Sequence, residues 1–201
     1  MTDCQPTCRY LTEFIRLNCA ADLMAMKIFP NAKEITESFA AYSACRKHVP
    51  FNMADPSVTV YCIGDGVTPR TGATFAYRTK WQVVSIDPKM RNKGAWAGIE
   101  RLSCVTGKAE DFIRTTRAGK VLVVAVHSHA NLEASVEAVA RGSYALSVIA
   151  IPCCKPQDLI HSYTGHILKP GYEYEDFGIW SPKRTVKVWT KMWMPYEANP
   201  L

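Results

Sequence analysis

A chain of 201 residues suffices for one domain with an N-terminal helical extension and leaves no room for a second catalytic domain. With 48% hydrophobic and 21% charged residues, and Gly and Pro spread along the chain, a substantial core is expected and a long disordered segment is excluded. The formal charge of +6 and pI of about 8.9 favour an anionic partner, nucleic acid or a phosphorylated metabolite.

The first residues, MTDCQPTCRYLTEF, lack a basic start followed by an apolar run, so the eight cysteines are expected to be reduced thiols in a cytoplasmic protein. No stretch reaches the ~18 uninterrupted apolar residues of a membrane span.

In chain order, residues 1–50 read as helical. Apolar residues recur at Leu11, Phe14 and Ile15, at Leu23, Met24 and Met26, and at Ile35, Phe39, Ala40 and Tyr42, with Pro30 and Asn31 separating two helices. His48 to Pro56, with two prolines, is a linker. From residue 51 to 201 the character is α/β. Five apolar runs, Val58–Ile63, Gln82–Ile86, Leu102–Val105, Val121–Val126 and Ala145–Ile151, alternate with TPRTGATFAYRT, a Lys/Gly-rich loop, AEDFIRTTRAG, and ANLEASVEAVARG with Gly142 as its C-cap. VLVVAV and ALSVIAI are nearly free of polar residues, as strands covered on both faces must be. The pattern predicts a doubly wound, mostly parallel sheet. After Pro170, YEYEDFGIW, SPKR and TVKVWTKMW predict a C-terminal antiparallel β-hairpin.

Gly64, Asp65 and Gly66 directly follow the first strand, where the chain must turn tightly and let a ligand approach its backbone. Pro69 suits the first turn of the next helix. Asp87 ends the second strand, where a carboxylate can accept hydrogen bonds from both ribose hydroxyls of a nucleoside. The GxGxxG spacing of nicotinamide-binding domains fails, because Pro69 follows and the next glycine is Gly72. A plain tight turn at Gly64 and Gly66, with Asp87 capping a helix, is the simpler alternative.

In this order of elements and motifs the segment from Val58 to Trp193 resembles the class I, Rossmann-like S-adenosylmethionine-dependent methyltransferases. The resemblance implies S-adenosylmethionine as cofactor, held by Gly64, Asp65, Gly66 and Asp87, with Glu110 or Asp111 of GKAEDF contacting the adenine amino group. The reactive centre of such a sheet lies at the carboxyl ends of its strands. There HSHAN, residues 127–131, follows the fourth strand, and Pro152-Cys153-Cys154-Lys155 follows the fifth. The pair distantly resembles a subgroup of methyltransferases, tRNA ribose methyltransferases among them, that have His-x-Cys-Gly after the fourth strand and adjacent cysteines after the fifth. His129 and Ala130 stand where Cys and Gly would be.

His127 is a candidate general base and donor contact, its alternative being a histidine hydrogen-bonded within the strand end. His129 is a candidate cap for the following helix, and Lys155 a second candidate catalytic group. A zinc set of His127, His129, Cys153 and Cys154 has acceptable ligand types, but adjacent cysteines chelate one tetrahedral ion with difficulty and no CxxC pair is present, so no metal is expected. In TVKVWTKMW, Lys187, Trp189, Lys191 and Trp193 share one strand face, suited either to stacking bases or to packing with the lysine tips in water. Arg70, Arg78, Lys89, Arg91 and Lys93 add positive charge near the cofactor mouth, which favours RNA as methyl acceptor. A catalytically silent regulatory subunit of the same fold, and a nicotinamide oxidoreductase, are the other two functions this sequence suggests.

Overall fold

Val58–Ile63 forms the first strand, β1, because its β-branched and aromatic residues fill a layer closed on both sides: five of the six are buried. In the computed structural model, which describes residues 7–113, 119–154, 157–160 and 166–192, β1 lies between β2 (Gln82–Asp87) and β4 (Lys120–Val126), parallel to both. β3 (Leu102–Thr106) extends the sheet beyond β2, and β5 (Ala145–Ile151) extends it beyond β4. β9 (Thr185–Met192) then runs antiparallel beside β5, with an irregularity between Leu146 and Val148, and β8 (Tyr172–Glu175) closes the edge. The strand order is β3-β2-β1-β4-β5-β9-β8, and a separate small pair joins β6 (Leu159–Ile160) to β7 (Ile167–Leu168). This is the doubly wound, mostly parallel α/β sheet with its C-terminal antiparallel pair.

The alternation of strand residues divides the core between the two faces. Val60, Cys62, Val83, Leu122, Val124, Ile149, Val186 and Val188 point to one face. There they meet α1 (Arg9–Ile15), α3 (Ala32–His48) and α4 (Arg70–Arg78) through Phe14, Phe39, Ala40 and Phe75. Ile63, Ile86, Val121, Val123, Leu146, Val148 and Trp189 point to the other, against α5 (Leu132–Ala140) through Val136 and Val139. Each such fully buried Val, Leu or Ile contributes about 1.5–3 kcal/mol.

The N-terminal region holds three helices, since α2 (Ala20–Ala25) follows α1 before Pro30 breaks the chain. Asn31 starts α3, its side-chain oxygen accepting the Glu34 N–H at 3.1 Å. Helices α4 and α5 follow β1 and β4 as the periodicity predicts, and Gly142 after α5 has φ +73°. The other connections differ from the expected β/α units. Between β2 and β3 there is only a 3-10 turn at Ala95–Gly98, where Trp96 is buried. The segment AEDFIRTTRAG opens with a 3-10 turn at Ala109–Asp111 and leaves it by Phe112, and its residues 114–118 lie outside the described ones.

Candidate functional site

In an open α/β sheet, ligands bind where the strand order reverses, beyond the carboxyl ends of the strands. Here the reversal falls between β1 and β4. The chain leaving β1 meets the chain leaving β4 at that point. Gly64, at φ +68°, lies so close to Ser128 that a side chain there would overlap its Oγ, and Gly64 N–H donates to the Ile86 carbonyl at 2.8 Å. Gly66 is also left-handed, at φ +86°. Glycine is needed at both positions by conformation, and at Gly64 by space.

Asp87 is drawn to this bend. Its Oδ2 accepts the Gly66 N–H at 3.0 Å and its Oδ1 the Lys89 N–H at 2.7 Å. Each oxygen keeps a second lone pair for a donor from outside. Asp87 caps no helix, and the bend and the acid share one lip of the sheet.

Asp65 does otherwise. It is buried and turned inward, accepting the Thr71 and Gly72 N–H groups at 2.9 Å each and the Ser85 hydroxyl. It supplies the cap that α4, preceded by Pro69, otherwise lacks. Burial pushes its carboxyl above the usual carboxylate range, and these hydrogen bonds pull it back. Its carboxylate thus holds the helix, and what Asp65 offers a donor at the bend is its backbone.

Of the two acids after β3, Asp111 is exposed, whereas Glu110 is half-buried and its Oε2 is buried with no hydrogen-bond partner among the described residues. A buried carboxylate oxygen without a partner is costly, so this atom can accept from an incoming donor.

His127 ends β4 in the left-handed region, φ 49°. Its Nδ1 lies 3.2 Å from Glu37 Oε1 and its Nε2 3.1 Å from the Lys183 carbonyl oxygen. With an acceptor at each ring nitrogen, it can take a proton from a nucleophile only by exchanging the Lys183 carbonyl for that nucleophile. Glu37, buried on α3, also accepts from Lys33 Nζ at 2.9 Å.

Residues of α3 that the sequence did not single out complete the site. Lys33, Glu34, Glu37 and Ser38 of α3 face Arg70 and Thr71 of α4 across a cleft of about 200 Å³ that reaches Val126 and His127. Arg70 lies over the glycine bend: its guanidinium donates to the Asp65 carbonyl at 2.9 Å, pairs with Glu34, and would sit 2.6 Å from a Cβ at Gly66. Burial lowers its proton affinity while Asp87 raises it. The one sequence signal for this wall was Lys33, Glu34 and Glu37 in a helix otherwise buried through Ile35 and Phe39.

The ends of β4 and β5 do meet. Gln157 Nε2 donates to the Ser128 carbonyl at 2.8 Å and Cys153 Sγ approaches the His127 carbonyl oxygen at 3.7 Å. His129 does not cap α5; Asn131 does, accepting the Ala134 N–H at 3.1 Å. Lys155 lies outside the described residues. On β9, Trp189 is buried and donates to the Leu168 carbonyl, and Lys187 pairs with Asp158 at 2.7 Å, so these two residues of the face pack toward the β6–β7 pair. Trp193 lies outside the described residues and the side chain of Lys191 is not described. No disulfide joins the described cysteines, and no described helix is long and apolar enough to cross a membrane.

No family model and no curated protein matches the sequence. Solved structures do match. A point mutant of MtNAS in complex with S-adenosylmethionine superposes with a TM-score of 0.52 at 13% identity, covering 91% of this chain and 70% of that one. MtNAS in complex with MTA and tNA gives 0.50 at 13%, covering 92% and 69%. The 1,6-didemethyltoxoflavin-N1-methyltransferase of Burkholderia thailandensis, with bound S-adenosylhomocysteine, gives 0.40 at 13%, covering 92% and 74%. With the strand order above, the chain has the class I, Rossmann-like fold of S-adenosylmethionine-dependent methyltransferases.

Proposed function

We propose that the protein binds S-adenosylmethionine at the β1–β4 switch point and transfers its methyl group to RNA. The observation that carries the reading is the hydrogen bond from Gly66 to Asp87, which sets a ligand-accessible bend and a ribose-type acid on one lip. The unpaired Oε2 of Glu110 supports it, since an adenine amino group is a donor of the kind that atom lacks.

The cleft beside Arg70 extends the fit. Its walls carry Lys33 and Arg70 as cations and Glu34 and Glu37 as anions, which suits the carboxylate and ammonium of an amino-acid tail. For a tail to enter, the Arg70 guanidinium must trade Glu34 for the incoming carboxylate. Bound there, the donor supplies an electrophilic sulfonium methyl group. The chain's part is to hold that group in line with the acceptor and to exclude water, which asks for few acid–base groups. His127, oriented by Glu37, is the base of this reading, and Lys155 a second catalytic group.

The RNA acceptor rests on the charge of +6 and on Lys89, Arg91 and Lys93, all exposed on the loop after Asp87. Tritium transfer from labelled donor tests the whole reading on total RNA, protein and small-metabolite extracts. Label in RNA, lost when Lys89, Arg91 and Lys93 become glutamate, is expected. Label only in protein or metabolites overturns the acceptor, and binding without label anywhere overturns the transferase.

A further inference from the structure

Beside the cleft, the ends of β4 and β5 bring three metal-ligating side chains together at the surface. Cys154 Sγ lies 3.1 Å from His129 Nε2 and 3.5 Å from Cys153 Sγ. The ligand atoms of His129, Cys153 and Cys154 all fall within 4.8 Å of one another. Adjacent cysteines in an extended strand point to opposite faces, which is why the sequence argues against their sharing an ion. Here β5 ends at Ile151 and the chain bends at Cys153 and Cys154, turning both thiols to one side.

The spacing matches a tetrahedral ion. With Zn–S bonds of about 2.3 Å and Zn–N of about 2.0–2.1 Å, the edges of a zinc tetrahedron are about 3.8 Å between sulfurs and about 3.6 Å between sulfur and nitrogen. The two edges at Cys154, 3.1 and 3.5 Å, are a few tenths of an ångström shorter, and the His129–Cys153 edge falls within 4.8 Å, differences that side-chain torsions absorb. The ligand loops are also fixed in advance: Gln157 ties the two strand ends through the Ser128 carbonyl, Ser128 Oγ accepts the Ala130 N–H at 3.1 Å, and Asn131 caps α5. His127, the fourth member of the sequence set, is engaged with Glu37 and Lys183 and takes no part.

We infer that His129, Cys153 and Cys154 form a three-ligand zinc site on the rim of the sheet, its fourth position open to water or an incoming ligand. Two thiolates and an imidazole select a thiophilic ion over magnesium or calcium, and three protein ligands with an open position is the pattern of exchangeable, reactive zinc. His129 and Cys154 are exposed, so the ion can enter without unfolding the chain. The site stands on these distances and is independent of the donor reading.

The test uses the full chain, reduced with a phosphine and stripped of metal, titrated with zinc against a chromophoric chelator and separately with cobalt. One ion per chain is expected, with cobalt giving sulfur-to-metal charge transfer and the strong ligand-field bands of a tetrahedral site. Cys153→Ser, Cys154→Ser and His129→Ala should each weaken zinc by more than the roughly 10–100-fold cost of losing an outer-shell partner. Cys8→Ser should leave binding unchanged. Should a variant unfold, the unmutated chain still answers: bound zinc should slow alkylation of Cys153 and Cys154 and leave Cys8 as reactive as before. No uptake by the reduced chain, undiminished uptake by the Cys153→Ser, Cys154→Ser double variant, or a persistent Cys153–Cys154 disulfide in place of metal overturns the assignment.

Discussion

Asp65 and Asp87 are acids of one type, close together in space, and they serve opposite ends. Asp65 closes inward on the first turn of α4 and Ser85, whereas Asp87 holds the glycine bend and keeps lone pairs toward the rim. Asp65→Ala therefore strips a cap and leaves buried donors unpaired, and a loss of about 2–3 kcal/mol is expected from urea unfolding. A loss under about 0.5 kcal/mol would contradict the cap. Gly64→Ala meets Ser128 as well as an unfavourable φ, so it should cost more than the about 1–2 kcal/mol of the left-handed conformation alone. Thiol chemistry sorts the cysteines in the same way. Burial raises Cys45 and Cys62 well above the ordinary thiol range, and burial with Asp65 nearby pushes Cys104 up to about 11. Brief alkylation followed by peptide mapping should label Cys8 and Cys154 and spare Cys45 and Cys62; early labelling of Cys62 would mean that the strand core opens.

Elements were legible where one signal was enough. Apolar runs covered on both faces gave β1 and β5 to the residue, since a strand buried twice tolerates almost no polar residue. The connections were less legible because composition does not say whether a segment will find a surface to dock on: the loop after β2 closes on Trp96 with a single 3-10 turn and no α-helix. The cleft wall was missed for a related reason. Lys33, Glu34 and Glu37 come from a helix that sequence distance separates from the glycine bend, and only packing on β4 and β5 brings them there. A pair at the far end of the sheet gives a pH test at this scale. Lys120, at the start of β4, donates to Asp55 at 2.7 Å. This bond, followed by Ser57, lowers the Asp55 carboxyl from 3.8 to about 2. A depressed carboxyl stabilises the fold above its unfolded value and ceases to as pH falls through the folded one. Asp55→Asn should thus melt below the parent at neutral pH, and the gap should close between pH 3.8 and about 2. A gap that widens on acidification would contradict the pairing.

Over the whole molecule, two core faces enclose the seven-stranded sheet, and the glycine bend, Asp87, His127 and the cleft gather at its carboxyl rim. Glycine spacing, the acid at the end of β2 and the paired strand ends placed that rim in the sequence; which side chains close it depended on α3. The measurement that tests this most directly is calorimetry of the chain with S-adenosylmethionine, repeated with Asp87→Ala and with NADH. One donor molecule per chain, a fall in affinity of at least about tenfold, or about 1.4 kcal/mol, in Asp87→Ala, and no heat from NADH are expected. Donor binding unchanged in Asp87→Ala, or absent from the parent chain, would contradict an adenosyl site built on Gly66 and Asp87.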